Sequence, residues 1–232
     1  MTTYILKNID REGPGLIAEY LKEKGKSFQV IEPDALVDFT LPSDLEALII
    51  LGGPASANDQ TEDMVHKIDI AREAMNQNLK VLGICLGMQI MTKAKEGKVV
   101  PLGKTERAFR DSEGNWNPLY LLDQGQDNPL FSNISNTIPV FHLHGETIVP
   151  NEQIQWLGQG ADCQYQALSF GEKAYGFQCH LELTLDMLKA WLTEDPDLVD
   201  LDHDQIIKDY LSVEEVYRTQ CFCLLDNFFN HI

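Results

Sequence analysis

The sequence predicts an α/β protein with a mixed, mainly parallel sheet flanked by helices. Two observations lead there. Strand-like and helix-like segments alternate β-α-β-α-β through the first hundred residues, the pattern of parallel strands joined by crossover helices. Leu45–Leu51 is a continuous apolar run closed by Gly52-Gly53-Pro54, as a parallel strand buried on both faces requires.

The elements follow in chain order. Tyr4–Lys7 reads as a short strand, and Gly13–Lys26 as a helix through Leu16, Ile17, Tyr20 and Leu21. Phe28–Ile31 and Leu45–Leu51 are the next strands. Thr61–Asn78 places Met64, Ile68, Ala71 and Met75 on one helical stripe. Val81–Ile84 is a strand with Gly87–Lys95 a helix behind it. Beyond these the texture changes to shorter strand-like pieces, Trp116–Leu122, Ile138–Leu143, Gln164–Phe170 and Ala174–Cys179, which predict antiparallel additions to the sheet. Thr193–Glu215 is acidic, with Lys208 its single basic residue. Val213, Tyr217, Cys221, Leu224 and Phe228 then mark an amphipathic helix expected to pack on the domain. No linker interrupts the chain. One domain over 1–232 is expected, with a C-terminal helical extension about 184–232.

Composition narrows the functions. Hydrophobic residues are 44% and charged residues 23% of the chain, an ordinary folded balance. A formal charge of −18 repels a phosphate backbone and argues against nucleic acid as a partner. No apolar run reaches the ~18–20 residues of a membrane span. The N-terminus lacks the features of a secretory signal. The five cysteines are odd in number and scattered, so free thiols and a cytoplasmic location are expected.

Gly83-Ile84-Cys85-Leu86-Gly87 sits where a strand meets a helix, the cysteine form of the nucleophile turn. Such a turn exposes the thiol above the sheet. It also aims the following N–H, on Leu86, at a developing oxyanion. A cysteine nucleophile needs a base, and the base needs a group that fixes its tautomer. In Phe177-Gln178-Cys179-His180-Leu181-Glu182, His180 and Glu182 are two residues apart, so in an extended segment their side chains share a face. His66 and His203 read as solvated, and His231 lies at the terminus. His142 and His144 form an H-x-H pair with no third ligand at a recognisable spacing. No metal and no cofactor are expected.

Assembled, these motifs resemble the class I glutamine amidotransferases, in particular stand-alone proteins similar to the amidotransferase domain of GMP synthetase. The similarity runs through Leu48–Pro54, Val81–Gln89, Val140–Val149 and Ala161–Glu182. It implies a flavodoxin-like α/β layer carrying a Cys85, His180, Glu182 triad that attacks a γ-glutamyl carbonyl. It implies oxyanion donors from the Gly52-Gly53 turn and Leu86. Gln89 and the backbone near His144-Gly145 would hold the amino-acid end of glutamine or a γ-glutamyl compound. Two other families place a cysteine on such a turn. Dienelactone-hydrolase-like enzymes put the acid before the histidine, and the peptidase-like group related to the parkinsonism protein follows its cysteine with histidine or glycine, not Leu86. Released ammonia would go to a separate synthase subunit, since 232 residues leave no room for a synthase domain. The alternatives are a hydrolase of γ-glutamyl peptides or conjugates, and a non-catalytic binding module on the same scaffold. The family usually has proline between its histidine and glutamate. Leu181 stands there, which leaves the pair less constrained by local sequence.

Overall fold

The computed structural model describes residues 1–232. Strand β1 (Thr2–Leu6) leads through a loop to α1 (Gly15–Glu23). Next come β2 (Phe28–Ile31), β3 (Leu45–Ile50), α2 (Glu62–Asn76), β4 (Lys80–Ile84) and α3 (Leu86–Ala94). The second half holds β5 (Lys98–Ala108), β6 (Leu119–Leu121), the single turn α4 (Asp123–Gln126), β7 (Thr137–Ile138), β8 (His142–Val149) and β9 (Gln155–Gln159). It ends with β10 (Ala167–Ser169), β11 (Ala174–Phe177), α5 (Leu185–Glu194) and α6 (His203–Asn230).

Nine strands form one sheet in the order β2-β1-β3-β4-β11-β10-β9-β6-β7. The first five pair in parallel and the rest antiparallel. The mixed, mainly parallel sheet read from the sequence is therefore the one observed. Alternate residues of β3 serve opposite cores, because side chains leave a strand on alternate faces. Ala47, Ile49 and Leu51 join Leu16, Ile17 and Tyr20 of α1, Trp191 of α5, and Tyr217 and Leu224 of α6. Leu48 and Ile50 join Met64 and Ile70 of α2, and Met88 and Ile90 of α3. Thr61 caps α2 by accepting the Met64 N–H, and Thr184 caps α5 by accepting that of Met187.

The structure corrects several boundaries in the second half. Ile138–Leu143, read as one strand, divides into the end of β7 and the start of β8, with Pro139 ending the first. The eleven residues of β5 were not anticipated as a strand. They pair antiparallel with β8 in a separate two-stranded ribbon, with an irregularity between Pro101 and Glu106. Strand β9 was also unanticipated. Helix α6 starts inside the acidic stretch, at His203, where the Asp202 side chain accepts the Gln205 N–H.

One pairing positions the site. Strand β11 runs parallel to β4 with Phe177 opposite Ile84, and the Cys85 N–H donates to the Phe177 carbonyl at 2.7 Å. The segment after β11 and the turn after β4 therefore leave the sheet side by side.

Candidate active site

Cys85 occupies the turn between β4 and α3 with φ 50° and ψ −109°, a left-handed φ that a residue with a side chain rarely adopts. The flanking glycines are set by close approach. A Cβ on Gly87 would lie 2.0 Å from the Ile50 carbonyl oxygen, and one on Gly83 would lie 2.7 Å from the backbone of Gly87 and Met88. The G-x-C-x-G spacing thus lets the α3 N-terminus descend onto β3 and β4 while the thiol stays at the strand ends. The Cys85 Sγ lies 3.7 Å from Gln178 Nε2 and 3.8 Å from the Leu143 carbonyl oxygen.

His180 is fixed from several sides. It exchanges backbone hydrogen bonds with Phe141 at 2.8 and 3.2 Å, an isolated antiparallel bridge just before β8. Its carbonyl also accepts the Tyr217 hydroxyl of α6 at 2.8 Å. Trp191 of α5 meets the imidazole edge-on, with ring centroids 4.9 Å apart. His180 Nδ1 lies 2.7 Å from Glu182 Oε1, and both residues are buried. Burial opposes charge on the ring. The Glu182 charge and hydrogen bonds to Cys85 and Glu182 outweigh it, and hold His180 well above its ordinary value. The ring therefore stands between the thiol and the carboxylate.

Leu181 plays a part that the sequence did not disclose. Its N–H donates to Glu182 Oε2 at 2.9 Å, and its side chain is buried. Glu182 is held at both oxygens, one by the imidazole and one by this amide. The loosened pair expected from the missing proline is not what the structure holds: the N–H that proline lacks is bound to the carboxylate.

A cleft of about 250 Å³ opens at Cys85, bordered by Gly53, Ser56, Gln89, His144, Gly145 and Glu146 among others. Of the residues expected to hold substrate, Gly53, Gln89, His144 and Gly145 thus line it. Gly52 and Leu86 lie behind this surface, Leu86 buried beneath Gly53. Two side chains are already committed. Gln89 Nε2 donates to Gln178 Oε1 at 3.2 Å. His144 turns Nδ1 to the Glu146 carbonyl oxygen at 3.0 Å and Nε2 to Glu106 Oε2 at 2.9 Å.

Glu106 is the third group beside the H-x-H pair that the sequence did not reveal. One donor atom each from Glu106, His142 and His144 lies within 4.8 Å of the others. The carboxylate also accepts from Asn117 at 2.9 Å, Gln166 at 2.8 Å and the Cys163 N–H at 3.2 Å. Burial alone would raise its pKa, but the bond to His144, the two rings and Asn117 pull it down to about 2. Burial pushes His142 down to about 4. Glu106 comes from β5 and the histidines from β8, so only the antiparallel ribbon joins them. This buried network braces the strand that forms one wall of the cleft.

The other cysteines lie apart from the cleft. Burial raises the Cys163 thiol to about 11 and pushes Cys179, Cys221 and Cys223 upward as well. No helix is long and apolar enough to cross a membrane.

Comparison with known proteins gives a consistent result. The family model described as glutamine amidotransferase class-I matches residues 14–195. A glutamine amidotransferase-like protein of Salmonella typhimurium is 26% identical over 152 residues, covering 63% of this chain and 61% of its own length. The GMP synthase [glutamine-hydrolyzing] of Streptococcus mutans is 32% identical over 171 residues, 72% of this chain but only 31% of the synthase. The chain thus spans under two thirds of these relatives. A crystal structure of a glutamine amidotransferase from Thermotoga maritima superposes with a TM-score of 0.86 over 99% of this chain and 98% of that one, at 20% identity. One from Methylobacillus flagellatus gives 0.83 over 100% and 95%, at 22% identity. At such identities the likeness shows the fold.

Proposed function

The chain belongs to the class I glutamine amidotransferases, and from that premise we propose that it hydrolyses a γ-glutamyl amide through Cys85, His180 and Glu182. The observation that carries the reading is the 2.7 Å contact of His180 with Glu182, set beside a cysteine on a left-handed strand-to-helix turn at the floor of a cleft.

The chemistry follows from this arrangement. His180 takes the Cys85 thiol proton, Sγ bonds to the γ-carbonyl carbon, and the carbonyl electrons move to oxygen. The N–H groups of Gly53 and Leu86 are assigned to that oxyanion. His180 gives its proton to the leaving nitrogen, the C–N bond breaks, and ammonia departs when glutamine is the substrate. The imidazole then takes a proton from water. The resulting hydroxide attacks the thioester, and glutamate leaves as the proton returns toward sulfur. Glu182 keeps the ring in the tautomer whose Nε2 faces sulfur and stabilises the imidazolium.

A diazo-oxo-norleucine electrophile tests the nucleophile. It is expected to add one label, on Cys85, mapped by peptide mass spectrometry and prevented by excess glutamine. Labelling of Cys163 or Cys221 with Cys85 untouched overturns the assignment.

A further inference from the structure

Glu12, in the loop between β1 and α1, is buried although nothing in its neighbourhood neutralises it by direct pairing. Its place is defined by the absence of a side chain on Gly52. A Cβ built there would meet Glu12 Oε2 at 2.4 Å, His180 Cε1 at 3.0 Å and Cys85 Cβ at 3.3 Å. The Glu12 carboxyl, the open edge of the His180 ring and the root of the Cys85 side chain therefore converge on one point. Cε1 lies between the two ring nitrogens, so this is the edge left free once Nδ1 is bound to Glu182.

The loop that carries Glu12 is tied to the machinery. The Leu16 N–H donates to the Glu182 carbonyl at 2.8 Å, and Trp191 Nε1, from the residue packed on His180, donates to the Arg11 carbonyl at 2.8 Å. Arg11 pairs with Asp195 at 2.5 Å, just beyond α5. These attachments hold the loop on either side of Glu12 against the machinery, and the carboxyl is buried there.

We propose that Glu12 is a positioning residue for proton transfer, its carboxyl closing the Cε1 edge of His180 and fixing the ring between Cys85 and Glu182. This deepens the hydrolytic reading and rests on it for the role of His180. The carboxyl shares with the ring edge the space that Gly52 leaves open, and it sets a titratable charge beside the imidazole. Burial raises Glu12 to about 7, against the pull of His180 and Arg11 and with the push of Glu182 and Asp195. These four residues and Cys85 are the charged and titratable groups that face it from the neighbouring elements. Around neutral pH the carboxyl changes charge. Once ionised, it favours the imidazolium of His180 and disfavours an anion at Cys85.

The test uses the whole chain as wild type, Glu12→Gln and Glu12→Ala. The rate of iodoacetamide alkylation at Cys85 is followed from pH 5 to 10, with kcat and KM for glutamate release from glutamine measured alongside. Wild type is expected to show an inflection in the alkylation rate near pH 7 that Glu12→Gln lacks. The upper limb, where His180 loses its proton, should move to lower pH in Glu12→Gln because an anion has been removed. Glu12→Ala should lower kcat about tenfold with KM within about twofold, and Glu12→Gln should recover most of that loss. Superimposable alkylation profiles for wild type and Glu12→Gln overturn the proposal. If Glu12→Ala does not fold, the isosteric Gln variant decides alone. Alkylation needs no substrate, so an enzyme that ignores glutamine still reports on Glu12, and the two failures remain distinct.

Discussion

The Leu181 amide gives the Glu182 carboxylate its second anchor, and a proline at that position would remove the donor. Proline stabilises a site by roughly 0.4–1 kcal/mol only where no native hydrogen bond is lost. Leu181→Pro is therefore expected to lower both the melting temperature and the rate of glutamate release, the latter by about tenfold or more. Unchanged stability with faster turnover would contradict this. The residue scale also shows what sequence could disclose. His180 and Glu182 were legible because two residues of extended chain suffice to bring them together. Cys85 was legible because its two glycines bracket it at a recognisable spacing where an apolar strand meets a helix. Glu12 and Glu106 were not, since each reaches its partners only through the packing of distant segments. Their neighbours in sequence carry no motif.

At the scale of elements, the parallel half of the sheet was readable because β3 and β4 are buried on both faces and spell continuous apolar runs. Strand β5 was hidden because it is half exposed, in a ribbon that shields one side only, and its polar residues mask any period of two. Helix α6 was readable as an amphipathic stripe, but its contact with the site was not. Its Tyr217 hydroxyl donates to the His180 carbonyl from a fully buried position. Tyr217→Phe keeps the packing with Phe109 and Tyr210 and deletes that single bond. It should cost about 1 kcal/mol in denaturant unfolding, because the carbonyl keeps a second donor in the Phe141 N–H. A few-fold loss in kcat with little change in KM should accompany it. A fall in stability with kcat intact would show α6 to be scaffold alone.

For the whole molecule, buried titratable groups set how stability varies with pH. Glu106 drops from an ordinary value of 4.5 to about 2 on folding. Its contribution is fully present above 4.5 and is lost as pH falls through that window toward 2. His142 drops from 6.5 to about 4, so the unfolded chain binds its proton first and stability declines as pH falls across that interval too. Glu12 acts in the opposite sense. Raised from 4.5 to about 7, it lets the folded state hold a proton longer, and stability from this group declines as pH rises through that range. Thermal unfolding of Glu106→Gln should converge on wild type as the pH falls from 5 to 2. A constant gap between the two would contradict the assigned direction. The central claim is tested most directly by following glutamate release from glutamine and a panel of γ-glutamyl amides with wild type and Cys85→Ala. The predicted result is release by wild type from at least one of these compounds, abolished in Cys85→Ala. Release that survives the loss of Cys85, or no release from any γ-glutamyl amide, would contradict it.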